Sequence, residues 1–166
     1  YGRPVTGFQV LVMLHLLCVI GGFGALAYNA LYMSLAQRRP QGGTGAILEV
    51  NGLVSGLAEL LIYAALLFGI GAVTASHSTV KFSQAWVSAA LAVYVAAVGV
   101  LHGWVKRNQR DYTAMVKKLE SGEEPSTQQQ DLAVLHRLEK RVGFGWGVFN
   151  ALVIAAVYLM VFKPGS

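Results

Sequence analysis

Charge is what this 166-residue chain has least of: 13% of its residues are charged, against about a quarter in soluble domains. Hydrophobic residues make up 55%, and mean hydropathy is +0.52. A soluble domain of this size has too little interior to hide so much apolar surface. A bilayer must therefore act as solvent for part of it. One cysteine, Cys18, excludes a disulfide framework within one copy. That cysteine and four scattered histidines make a poor set for structural zinc. GxSxG, HExxH, Walker A and CxxC signatures are all missing, which removes the familiar soluble-enzyme constellations. No period-two alternation marks a β-barrel.

What the chain does have is apolar runs of spanning length. A membrane helix needs about 20 mostly apolar residues. The runs 8–35, 46–75, 82–105 and 142–162 meet that length. Each can satisfy its own backbone as a helix, which hydrocarbon demands. Glycines 42, 43 and 45 end the first connection, Ser76-His77-Ser78 marks a very short second one, and Pro164 closes the last helix. The expected fold is an all-α integral membrane four-helix bundle forming one domain over 1–166. Because the first residue is Tyr1, a signal peptide ahead of it stays compatible with the chain.

Lys and Arg placement sets the expected orientation. Arg3, Lys81 and Lys163 fall on the side of the termini, and the other ten basic residues fall on the opposite side. Both termini are thus expected outside, with loops 36–45 and 106–141 in the cytoplasm of a plasma membrane. The net charge of +5 is then mostly a topology signal. It does not point to nucleic acid, because the basic residues flank spans and alternate with acids.

The connection 106–141 is the one sizeable polar segment. Tyr112, Met115, Val116 and Leu119 fall at helical spacing, as do Leu132, Leu135, Leu138 and Val142. A helical hairpin between spans three and four is expected. It either packs on itself or offers a docking surface for a partner or anionic headgroups. Ser126 with Gln129, or Thr127 with Gln130, matches a capping box at the second helix. Glycine pairs four apart recur at Gly52/Gly56, Gly99/Gly103 and Gly143/Gly147, with Gly21/Gly24 related. Such faces let helices approach closely. The simplest expectation is that they build the bundle itself, and the second is docking onto another subunit.

Polar side chains inside spans carry the functional leads, because hydrocarbon makes them costly. Helix direction and a rise of ~1.5 Å per residue put His15 near the outer end and His102 near the inner end. One cofactor bridging both is therefore not expected. The outer set is His15, His77 and Lys81. The inner set is Asn29, Asn51 and His102, with Glu59 deeper and His102 or Asn29 able to pair with it. Three readings of His15 stay open: a hydrogen-bonded packing residue, a cofactor ligand and a proton carrier. As a ligand it would hold haem b with His77 or Lys81 as second axial group, or copper with Met13 nearby.

The segment Leu11-Val12-Met13-Leu14-His15-Leu16-Leu17-Cys18-Val19-Ile20-Gly21-Gly22-Phe23-Gly24 resembles the first helix of small bacterial four-helix membrane proteins of unknown function. That group is distantly similar to the CopD copper-resistance membrane domain and to HemJ, a haem-binding protoporphyrinogen oxidase. The ending Tyr158-Leu159-Met160-Val161-Phe162-Lys163-Pro164-Gly165 is similar to the HemJ carboxyl end, and Lys81 stands where HemJ places a lysine. The long connection 106–141 is closer to the unknown-function group. The resemblance implies a bacterial inner-membrane protein and a haem or metal site on His15. Three functions follow as expectations: an accessory or structural subunit of a larger, for example respiratory, membrane complex, a b-type haem protein, and a copper or proton conduit. No catalytic residue is expected in the first.

Overall fold

The computed structural model describes residues 6–37, 44–76, 80–121 and 128–165. Helix α1 runs Gly7–Gln37, α2 Thr44–Ala75, α3 Ala85–Val100, α4 Arg107–Glu120 and α5 Gln128–Phe162. A π-helical segment, Leu101–Lys106, joins α3 to α4 without a break. No strand occurs among the described residues. Four helical stretches are long and apolar enough to cross a membrane: Gly7–Leu26, Gly52–Ala75, Ala85–Leu119 and Gln130–Phe162.

Local chemistry explains the ends. Thr6 and Gln9 form a capping box on α1: Thr6 Oγ1 accepts from Gln9 N–H at 3.4 Å, and Gln9 Oε1 accepts from Thr6 N–H at 3.1 Å. After α2, Ser76 Oγ lies 2.8 Å from Val73 O and accepts from Val80 N–H at 3.0 Å. This hydroxyl ties the helix end to the start of the next strand of chain. The third helix begins at Ala85, not Phe82. Residues 81–84 form a turn in which Gln84 N–H donates to Lys81 O, and Ser88 Oγ donates to Phe82 O at 2.7 Å. The third and fourth spans also do not stop at 105 and 142. Both continue as unbroken helices into the polar hairpin. There Tyr112 and Val116 are buried, and Lys118 pairs with Asp131 at 3.0 Å. The capping-box residues Ser126 and Thr127 lie outside the described residues.

Around the bundle the order is α2, α1, α5, α3. Helix α1 lies along α2, α3 lies along α5, and α1 meets α5. The ring stays open on its fourth side: among the described residues no Cα of α2 lies within 8 Å of one in α3. At the hairpin end α4 touches α2 and closes that seam. The core gathers there, with Leu26, Ala58, Ile62, Ala97, Leu101, Val105, Trp146 and Phe149 buried together.

The glycines divide into two groups. A Cβ on Gly22 would meet Ala58 O and Ile62 Cγ1 at 3.0 Å, so Gly22 is where α1 and α2 come closest. A Cβ on Gly145 would meet Trp104 Cδ1 at 2.6 Å. The three spacing-four pairs behave differently. Gly52, Gly56, Gly99, Gly103, Gly143 and Gly147 are exposed and would meet nothing within 4 Å. The expectation that these pairs build the bundle is corrected: among the described residues no helix packs on them. Their spacing marks a small-residue face, but not which neighbour uses it.

Gly22→Leu is expected to lower stability by about 1–3 kcal/mol, through overpacking at the α1–α2 contact. Gly99→Leu should leave the isolated protein unchanged. Thermal unfolding of both variants in one detergent checks the contrast, and an equal effect would contradict the division.

Candidate functional site

Two polar sites lie on α2, on different faces. The one nearer the hairpin is built around Glu59. Residues 59 and 63 share a face of α2, one turn apart. Glu59 Oε1 lies 2.9 Å from His102 Nε2, and Tyr63 Oη donates to the same oxygen at 3.0 Å. Lys106 Nζ pairs with Glu59 Oε2. The Tyr63 and His102 rings stack 3° from parallel, with centroids 6.2 Å apart. His102 and Lys106 both come from the π-helical segment. Residues four apart share one edge of a helix. This places two nitrogen groups on one carboxylate.

The cluster satisfies a charge that hydrocarbon would penalise. The Glu59 side chain is 15% exposed, while His102 and Lys106 keep 38% and 35% of their side chains exposed. The carboxylate is therefore covered and its partners are not. Of the expected partners, His102 pairs with Glu59. Tyr63 and Lys106 were not anticipated, although each stands four residues from a residue that was. The side chains of Asn29 and Asn51 lie outside the described residues.

The site farther from the hairpin holds His15. Its Nδ1 lies 2.7 Å from Ala65 O. A carbonyl can only accept, so Nδ1 carries the proton, and Nε2 is the ring nitrogen left to bind something else. Gly69 makes room for the ring: a Cβ there would meet Nδ1 at 3.0 Å. His15 thus pins α1 to α2. It also lines a cavity of about 330 Å³ in the open seam between α2 and α3. Phe8, Phe82, Trp86 and Tyr94 give that cavity aromatic walls, and Met160 and Lys163 reach it from α5. Tyr94 Oη donates to Ile62 O at 3.3 Å, a side-chain strut across the seam.

The other expected ligands are placed differently. Lys81 is exposed in the turn and does not line the cavity. His77 lies outside the described residues. Met13 is 54% exposed and borders a separate surface groove with Phe8, Gln9 and Leu17. Two residues along a helix turn a side chain away from its neighbour, so Met13 and His15 do not share a face. His15 and His102 are separate, but less in height than their positions in the runs imply. Their partners on α2 are centred six residues apart, ~9 Å along the axis, and on different faces. Among the described residues no three His, Cys, Asp or Glu side chains gather to hold a metal. One buried polar atom, Trp146 Nε1, has no hydrogen-bond partner.

The Glu59 pairing makes a quantitative expectation. Glu59→Leu and Lys106→Met should each destabilise the protein, and the double variant should cost less than their sum. A coupling on the order of 1–2 kcal/mol is expected from residues in one ion-pair network. Additive costs in a double-mutant cycle would show that the two do not act together. No protein family, curated protein or solved structure matches the chain.

Proposed function

We propose that the protein is a small accessory subunit of a larger membrane complex, docking sideways on a partner's spanning helices. In this reading both termini lie outside and the basic hairpin lies in the cytoplasm. The observation that carries it is that the Gly52/Gly56 and Gly99/Gly103 pairs stay open, an added Cβ at each meeting nothing within 4 Å. A close-packing surface unused by its own bundle is available to another helix. Both pairs flank the Glu59 cluster. Gly52 and Gly56 share the α2 face of Glu59 and Tyr63, and Gly99 and Gly103 share the α3 face of His102. Purification from native membranes in mild detergent should retain a stoichiometric partner. Gly56→Leu with Gly99→Leu should release it without lowering the melting temperature. A lone monodisperse monomer from native membranes would overturn the reading.

A second reading, a b-type haem protein, is favoured by one specific observation. His15 donates Nδ1–H to a backbone carbonyl, as metal-ligating histidines do. It stands on an aromatic-walled cavity with Met160 on the same lining. Histidine with methionine is an established axial pair for haem iron, and Lys163 could hold an acidic haem substituent. Bound haem would supply one-electron chemistry. His15 would orient and ligate it, and the apolar walls would keep water away. A reduced-minus-oxidised spectrum of protein from a haem-replete host should show Soret and α bands that His15→Ala removes. Absence of those bands in the unaltered protein would end this reading.

A further inference from the structure

The cationic face of α5 is distinct from both sites above. Arg137, Lys140, Arg141 and Phe144 follow the i, i+3, i+4, i+7 pattern and so lie along one stripe of the helix. All four are exposed. Among the described residues, none of the three cationic side chains makes an ion pair or hydrogen bond. The nearest carboxylate in sequence, Glu139, is turned to another face and lies 3.2 Å from His136 Nδ1.

Directly below these cations the surface becomes apolar and aromatic. Phe144 is 66% exposed and Trp104 is 44% exposed. Their rings meet edge to face with centroids 6.2 Å apart. Trp104 Nε1 donates to Arg141 O at 2.9 Å, which fixes the indole at the level of the cations. Tryptophan at that level is the usual marker of a membrane–water boundary. Beside Phe144, Gly143 and Gly147 leave a shallow strip with nothing within 4 Å. Three unneutralised cations thus stand over an aromatic ledge and a smooth apolar channel on one helix face.

We propose that this face binds an anionic phospholipid. Its phosphate sits among Arg137, Lys140 and Arg141, and an acyl chain runs past Phe144 along the Gly143–Gly147 strip. Charge complementarity selects the occupant. A zwitterionic lipid offers no net charge to three cations, whereas an anionic one neutralises them at the depth where phosphates lie. A partner's transmembrane helix would fill the glycine strip but leave the cations unmatched. The α4 cations Arg110 and Lys117 provide an internal comparison. They are also exposed, but helical spacing turns them away from the buried Tyr112 of the α4–α5 contact, and so away from Arg137, Lys140 and Arg141. They, and not Arg107, which stands three residues from Trp104, are the comparison.

Native mass spectrometry of the full chain in mild detergent, titrated with dioleoylphosphatidylglycerol or dioleoylphosphatidylcholine, tests the site. The anionic lipid should stay bound and raise the melting temperature, because a ligand of the folded state stabilises it. The zwitterionic lipid should do neither. The triple variant Arg137→Gln, Lys140→Gln, Arg141→Gln should weaken binding of the anionic lipid by at least about tenfold. Arg110→Gln with Lys117→Gln should leave it unchanged. Equal binding of the two lipids would overturn the proposal, as would equal loss from the two sets of substitutions. Should the triple variant not fold, raising salt on the unaltered protein carries the same test. Phosphatidylglycerol binding must then weaken, since the contact is between exposed charges.

Discussion

A carboxylate within a spanning-length helix must find cations or protons, and the hairpin-side half of this bundle is arranged around that need. Glu59 draws His102 and Lys106 from the π-helical segment, no Cα of which, among the described residues, lies within 8 Å of one in α2. Standing four residues apart, both nitrogen groups lie on one edge and reach it. Tyr63 adds a hydroxyl to the same oxygen. Removing either side of such a pair leaves a charge uncompensated, so the pair acts more as a register device than as a source of net stability. It sets the height at which the third helix passes the second. That in turn places the seam above it, where the cavity lies.

The seam explains why one bundle contains both tight and loose packing. Where α1 meets α2, Gly22 lets backbones touch, and His15 lies flat over Gly69. Where α3 meets α5, Gly145 receives Trp104. Between α2 and α3 only side chains cross: Tyr94 above and the Glu59 cluster below. Dispersion contacts need near-contact distances, so helices held apart by long polar side chains leave space. The aromatic cavity is that space, and the pinned imidazole of His15 is the group in it with an uncommitted ring nitrogen.

Much of the architecture was legible in the chain. Apolar length identifies the four spans, because hydrocarbon thickness and helical rise leave little freedom. The Tyr112–Val116 and Leu135–Val142 periodicities identify the hairpin that carries two of the spans into a polar segment. The start of the third helix was less legible. Phe82 is as apolar as a helix residue, but Gln84 and Ser88 satisfy backbone groups in the turn before Ala85. Only the position of those side chains makes the distinction. The pairing of Glu59 with His102 was within reach of sequence reasoning, since each is costly alone. Lys106 was not, because it reads as an ordinary flanking cation until the fold sets it beside Glu59.

Composition and periodicity by themselves determined that this is an all-helical chain with four spanning-length segments and a polar hairpin, and that His15 and Glu59 need partners. These follow from local quantities: apolar length, turn period and the cost of a lone polar group. Tertiary structure alone decided which glycines are contacts and which are open faces. It decided that Met160 rather than Met13 shares a cavity with His15, and that Arg137, Lys140 and Arg141 stand unmatched over Trp104 and Phe144. The physical reason is the same in each case. Helical spacing tells which residues share a face, but which neighbour a face meets depends on the rotation and separation of whole helices. Those are settled by the packing of Gly22, the pin at His15 and the cluster at Glu59 acting together.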